Sequence, residues 1–173
     1  MEIEQKYLVE RLPQGYESYP NVEIEQGYLC KSPTLRIRKA GDTFILTVKE
    51  HVRSHGVIIN REEEFSLTQD AYKELRAKCD GSFVIKTRYR IPLSGNLVAE
   101  LDIFHGTHEG LMIVEVEFPS VEAVSQFQKP DWFGANVSDD PQQWSFYSNN
   151  SFALKPITAE NAMQNSSMHE VSS

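Results

Sequence analysis

Residues 2–9 read Glu-Ile-Glu-Gln-Lys-Tyr-Leu-Val, and they alternate between two kinds of side chain. Ile3, Tyr7 and Val9 fall on one face, with Glu2, Glu4 and Lys6 on the other. That period of two is the mark of a strand with one apolar side. The same pattern recurs along the chain. Leu35 and Ile37 oppose Arg36 and Arg38; Gly41-Asp42 then turns the chain into 43–50, where Phe44, Leu46 and Val48 oppose Ile45, Thr47 and Lys49. After a His- and Gly-containing loop near 51–56, Val57, Ile59, Phe65 and Leu67 share a parity opposite Glu62 and Glu64. The run Glu62-Glu63-Glu64 leaves the register open by one, and 62 and 64 are chosen because they oppose Ile59 and Phe65.

Further on, Ile85, Tyr89 and Ile91 stand against Lys86, Arg88 and Arg90. Pro92 and Gly95-Asn96 turn the chain into 97–104, and Val114, Val116 and Phe118 then oppose Glu115 and Glu117. With a short stretch around 23–30, this makes about eight strands at hairpin spacing. Helices are few. Thr68 caps a helix predicted over 69–79, with Ala71, Leu75 and Lys78/Cys79 on one stripe and Gly81 as the stop. Ser120 caps a second near 121–128, with Val121, Val124 and Phe127 inward. The stretch 130–150 carries Trp132, Phe133, Trp144, Phe146 and Tyr147, enough aromatic area to pack on the body. The class is α+β, mainly β.

Composition narrows the function. The 173 residues carry 17 Lys+Arg against 25 Asp+Glu, a formal charge of −8, which argues against a nonspecific nucleic-acid surface or an anionic-membrane binder. No run of 18 apolar residues spans a bilayer, and the charged, alternating start is not a signal peptide, so a cytoplasmic protein is the default. Two cysteines, Cys30 and Cys79, build neither a disulfide framework nor a thiolate metal site and are read as packing residues. His105-Gly-Thr-His108 looks like a metal pair but falls in a Gly-containing loop and is read as structural, as are Trp132 and Trp144. The chain holds no Gly-rich nucleotide loop and no Ser-His-Asp signature. The Asn- and Ser-rich tail, 157–173, lacks an apolar period and is expected to be disordered, leaving 1–156 as the domain.

The charged faces carry the rest. A solvated face on an antiparallel sheet is ordinary and needs no function. Here, however, charge is segregated by strand: Glu2/Glu4, Arg36/Arg38, Glu62/Glu64, Lys86/Arg88/Arg90, Glu115/Glu117. Like charges two residues apart on one face sit roughly 7 Å from each other, and at an effective dielectric near 20 they repel by about 2 kcal/mol. The same faces hold little Thr, Ser or Gln. Turned inward by closure of the sheet, such strands line a polar bore. Acids there hold a hard divalent cation such as Mg²⁺ or Mn²⁺, and Arg and Lys grip phosphate oxygens.

The residues also match a known family in order: Glu2-x-Glu4-x-Lys6, Gln26-Gly27-Tyr28-Leu29, Arg36-x-Arg38, Leu46-Thr47-x-Lys49, Glu62-x-Glu64, Lys86-Thr87-Arg88-Tyr89, Asp102-x-Phe104-His105-Gly106, Glu115-x-Glu117 and Pro130-Asp131-Trp132-x-Gly134. The set resembles the CYTH superfamily, the triphosphate tunnel metalloenzymes, in its bacterial inorganic triphosphatase branch. The resemblance implies a closed eight-stranded antiparallel β-barrel, the triphosphate tunnel. It implies a metal set of Glu2, Glu4, Glu115 and Glu117, with Asp102, Glu62 and Glu64 nearby, and phosphate ligands Lys6, Arg36, Arg38, Lys49, Lys86 and Arg88. Lys86, Arg38 and Glu4 stand as catalytic, Lys86 as the general base, and Arg90 is an outer-rim or structural residue. The implied activity is Mg²⁺- or Mn²⁺-dependent hydrolysis of tripolyphosphate or another triphosphate. Thiamine-triphosphate hydrolysis, nucleoside triphosphate hydrolysis and adenylate cyclisation are alternatives on the same fold, and a non-catalytic polyphosphate- or nucleotide-binding module is the alternative from a different functional class. A homodimer is open.

Overall fold

Alternation does produce strands, and hairpin turns stitch them antiparallel. The computed structural model describes residues 3–54, 57–140 and 142, with backbone alone for 51–60. Glu2, Trp144, Phe146, Tyr147 and the 157–173 tail lie outside the described residues. The chain runs β1 (Ile3–Val9), β2 (Asn21–Cys30), β3 (Thr34–Ala40), β4 (Thr43–Ser54), β5 (Val57–Ser66), α1 (Gln69–Arg76), β6 (Asp80–Pro92), β7 (Val98–His105), β8 (Met112–Phe118), α2 (Val121–Gln126) and β9 (Phe133–Asn136). One sheet contains all nine strands, in the order β5-β4-β3-β2-β6-β7-β8-β1-β9.

Two turns show how local chemistry sets the register. Gly41, at φ 58, closes the β3–β4 hairpin so that Ala40 pairs with Thr43. Gly95 and Asn96 both take positive φ between β6 and β7, the conformation that favours these two residue types.

The sheet is open, not the expected closed eight-stranded barrel. The reason is the ninth strand. β1 pairs with β8 along one edge and with β9 along the other, through Tyr7↔Asn136 and Val9↔Phe133. Val137 N–H donates to the Lys6 carbonyl at 2.9 Å, and Lys6 N–H donates to Ser138 Oγ at 2.6 Å. With both of its edges occupied, β1 has none left for β5. β5 forms the opposite edge and carries Glu62, Glu63 and Glu64, charges of the kind that discourage edge-to-edge pairing.

The curvature of the sheet is visible in its packing. Leu8 of β1 and Val137 pack with Tyr28 of β2, Val84 of β6, Phe104 of β7, and Leu111 and Ile113. Lys6 of β1 also lies near enough to Tyr28 of β2, four places away in the sheet, for its charge to act on the Tyr28 hydroxyl, so the strands curve toward one another over this face. That face is concave, and this apolar cluster occupies part of it. The larger cluster lies on the convex side of β1, β6, β7 and β8. There Tyr7, Ile91, Leu101, Val114, Val116 and Phe118 pack with Val124, Phe127, Trp132 and Phe133. Trp132 and Phe133 meet edge to face with centroids 4.4 Å apart, so Trp132 is a packing anchor as its sequence context indicated.

Both helix caps form as read: Thr68 Oγ1 accepts from Ala71 N–H, and Ser120 Oγ accepts from Ala123 N–H. The helices are shorter than expected. α1 ends at Arg76, and Gly81 lies inside β6 rather than stopping the helix. The buried residue of α1 is Tyr72, against Phe44, not the Ala71/Leu75 stripe. Val124 of α2 and Phe127 just past its end point inward, but Val121 is 65% exposed, because it stands in the first turn, beyond the edge of the core.

α1 is tied to the convex face by one carboxylate. Glu25 on β2 accepts from Arg76 Nε at 2.8 Å and Nη2 at 3.1 Å, and from the Tyr72 hydroxyl at 2.9 Å. The Arg76 bonds hold the Glu25 pKa below its ordinary value, against partial burial and with help from Tyr72. A depressed folded-state pKa adds stability above the unfolded carboxylate range, and that stability is lost as pH falls through the folded value. Glu25→Gln should therefore lower stability at neutral pH by about 0.5–1 kcal/mol, and the gap between variant and parent in urea melts should close below about pH 4. Next to this tether, a Cβ on Gly27 would lie 2.5 Å from Phe83 Cε1 and 3.0 Å from Cys79 Sγ. The Phe83 ring is itself covered by the Arg76 guanidinium at 4.3 Å. Gly27→Ala should cost about 1–3 kcal/mol through overpacking, read as a lower urea midpoint at unchanged slope.

Candidate functional site

Register alone assembles the site. Glu4 pairs across from Glu117, and Lys6 from Glu115. Glu115 faces Glu100, and Asp102 faces Arg88, with Arg90 opposite Glu100. Gln26 lies between Val84 and Arg38, Tyr28 opposite Arg36, Arg36 opposite Thr47, Thr47 opposite Glu64, and Lys49 opposite Glu62. Directly paired residues share a face, so every described candidate lands on the concave side. The ambiguity within Glu62-Glu63-Glu64 resolves to 62 and 64.

Opposite charges on this face meet in chains. Lys86 Nζ, with no solvent exposure, donates to Asp102 Oδ2 at 2.5 Å. Arg88 spans both oxygens of Asp102, through Nε to Oδ1 and Nη2 to Oδ2, each at 2.7 Å, and reaches Glu115 Oε2 at 3.0 Å. A second arm of Arg88 binds Glu100, which also holds Arg90 at 3.1 Å. Lys6 lies 3.3 Å from Glu115 and 3.5 Å from Glu4. Asp102 is fully buried and is bonded to two cations, Lys86 and Arg88, the second of which links it to Glu115. Glu62 and Glu64 sit on the exposed edge strand, bonded to Lys49 at 3.3 Å and to Thr47 at 3.4 Å. Arg90, 58% exposed at its side chain, is an outer-rim residue.

These contacts tune the titrating groups in opposite directions. Burial raises Glu4, and the neighbouring Glu115 charge raises it further. Burial also works to raise Glu115, but Lys6, Lys86 and Arg88 overcome it and bring it down to about 2. Burial pushes Lys86 below the ordinary lysine value; Asp102 opposes this and Arg88 reinforces it. Lys6 moves up despite its burial, held by Glu115 and Glu4. Arg88 is likewise raised against burial, chiefly by Asp102. Arg38 moves down through burial and the repulsion of Arg36 and Arg88.

The glutamate group suits a hard divalent cation. Burial, with the Glu115 charge added to it, raises the Glu4 carboxyl, a conflict that a cation relieves, and all donors are carboxylate oxygens. Among the described residues no three metal-ligating side chains converge as they stand, because Glu115 is turned to Lys6 and Arg88. His105 takes no part: its Nε2 lies 2.7 Å from Thr87 Oγ1 on the convex side.

Two site residues were not assigned from sequence. Glu100 sits two places before Asp102 on the same strand face, so its parity was the available signal. Gln26, wholly buried, accepts from Arg38 Nε at 3.1 Å, and as a neutral residue it did not stand out from the charge pattern.

No protein-family model matches the chain. An inorganic triphosphatase of Nitrosomonas europaea is 37% identical over 157 residues, spanning 88% of this chain and 97% of that protein. An inorganic triphosphatase of Acetivibrio thermocellus is 37% identical over 145 residues, spanning 82% and 88%. The crystal structure of the inorganic triphosphatase NE1496 superposes with a TM-score of 0.69 at 34% identity, covering 90% of this chain and 95% of that one. The Hippeastrum protein HpAC1, described as having a dominant triphosphatase activity, matches with a TM-score of 0.51 at 18% identity over 72% and 83%, a likeness of fold alone. The chain belongs to the CYTH superfamily of triphosphate tunnel metalloenzymes, in the branch of the inorganic triphosphatases.

Proposed function

We propose that this protein hydrolyses inorganic tripolyphosphate to pyrophosphate and phosphate on the concave face of its sheet. The observation that carries the reading is the single face on which Arg36, Arg38, Lys86 and Arg88 stand beside Glu4, Glu115 and Glu117. An anion receptor alone has no need of the glutamates, and a cation store has no need of the arginines.

In the reaction, water attacks the terminal phosphorus, the bond to the bridging oxygen breaks, and pyrophosphate leaves with that bond's electron pair. Arg36, Arg38 and Arg88 bind the non-bridging oxygens and offset the charge that builds on them in the transition state. Glu4, Glu115 and Glu117, with Glu2 from the sequence, would hold Mg²⁺ or Mn²⁺, which when bound neutralises phosphate charge and orients the chain. Lys86 is the candidate base. Burial lowers its pKa, and its Nζ lies against Asp102 Oδ2, so a proton taken from water passes to an amine already held by a carboxylate. Asp102 serves this set by fixing Lys86 and Arg88 from beneath. Glu62, Glu64 and Lys49 form the outlying edge of the same face. Among the described residues no helix is long and apolar enough to cross a membrane.

The test is phosphate release from tripolyphosphate, ATP, thiamine triphosphate and pyrophosphate with Mg²⁺, Mn²⁺ or EDTA. Tripolyphosphate should turn over fastest, and EDTA should stop it. No turnover of any triphosphate would leave a binding module, and cyclic AMP from ATP would make the protein a cyclase. Glu4→Gln and Arg38→Ala should each lower kcat/KM by about 10²-fold or more, with thermal melts close to the parent's. Lys86→Arg should lower kcat by about 10²–10⁴-fold and remove the rise in rate with pH that a lysine base of lowered pKa produces.

A further inference from the structure

The cations of the concave face divide into two kinds. Lys6, Lys49, Lys86, Arg88 and Arg90 each pair with a carboxylate. Arg36 and Arg38 form no ion pair among the described residues, and both are oriented by neutral side chains. Arg38 Nε donates to Gln26 Oε1 at 3.1 Å, and Arg36 Nη2 donates to Thr47 Oγ1 at 3.4 Å. These two arginines also repel each other. They form a cationic pole with no direct carboxylate partner among the described residues, beside a face otherwise laced with ion pairs.

Gln26 sits at the root of this pole. It has no solvent exposure and lies directly across from Arg38, with Tyr28, two residues on, across from Arg36. Because Arg38 Nε can only donate, the Gln26 carbonyl oxygen must face it, which fixes the amide nitrogen as a donor toward other neighbours. That Nε2 is buried and has no acceptor, and Arg36 Nε is buried and unpartnered in the same way. Two buried donors without acceptors, near two unneutralised guanidinium groups, specify an anionic oxygen as the missing partner. A glutamate at 26 would bind Arg38 more strongly in the ligand-free protein, but it would consume the charge that a phosphate needs and supply no donor.

We propose that Gln26 is a phosphate-binding and positioning residue of this pole: its Oε1 holds Arg38 in place without neutralising it, and its Nε2 donates to the tripolyphosphate group that the two arginines grip. The inference rests on the triphosphatase reading. Its test compares wild type, Gln26→Glu and Gln26→Met by steady-state kinetics on tripolyphosphate, with thermal melts alongside. Gln26→Glu should melt at or above the wild-type temperature yet raise KM about tenfold or more, with kcat changed less. Gln26→Met, close in volume but without either polar group, should raise KM several-fold. A merely structural glutamine would move the melt and leave KM unchanged. Wild-type turnover with an unchanged KM in Gln26→Glu overturns this inference alone. Should Gln26→Glu not fold, a Gln26→Met KM within twofold of wild type overturns it equally. Wild-type protein that neither binds nor hydrolyses tripolyphosphate overturns the functional reading itself, and this inference with it.

Discussion

Asp102, buried without solvent contact, holds Lys86 through one oxygen and Arg88 through both. Two cations on adjacent same-face positions of β6 could not otherwise be taken out of water, since each buried charge needs a partner. Once Arg88 is fixed there, its remaining donors reach Glu115 and Glu100, and Glu115 in turn organises Lys6 on β1. A chain of opposite charges thus runs across four neighbouring strands, β6-β7-β8-β1. It sets which carboxyl is depressed and which is raised. Removing one member strands the others, so this network gives the site its shape as well as its chemistry.

The two sides of the sheet divide the work. The convex side supplies stability through the aromatic cluster around Tyr7, Trp132 and Phe133 and through the Glu25 tether of α1. On the concave side the apolar cluster of Leu8, Tyr28, Val84, Phe104 and Ile113 packs next to the charges. Those neighbours shield Lys86 and Gln26 from bulk solvent and so strengthen the electrostatic contacts near them. The same exclusion lowers the Lys86 pKa, so packing and reactivity have one cause.

Much of this was legible in the order of residues, for a specific reason. Side chains alternate strictly along a strand, so Glu4 and Lys6, or Lys86 and Arg88, must share a face wherever the strand ends up. What failed did so where that rule has little to act on. β9 is four residues long and aromatic at one end, so it read as a packed segment and not as a strand, yet it occupies the edge of β1 that barrel closure would have required. The buried residue of α1 is Tyr72 rather than the Ala71/Leu75 stripe because Phe44 and Glu25, partners from distant strands, place it.

The strands, their two faces and the membership of the charged face are written along the chain, because they follow from periodicity and turn chemistry within a few residues. Which charge meets which is a matter of the folded sheet. Asp102 went to the cations Lys86 and Arg88, Glu100 joined the site, and Arg36 and Arg38 were left to the neutral groups Thr47 and Gln26. Those pairings are set by strand order and curvature, which bring together residues distant in sequence, 27 positions apart in Arg88 and Glu115 and further still in Lys6 and Glu115. A local pattern carries no information about such partners.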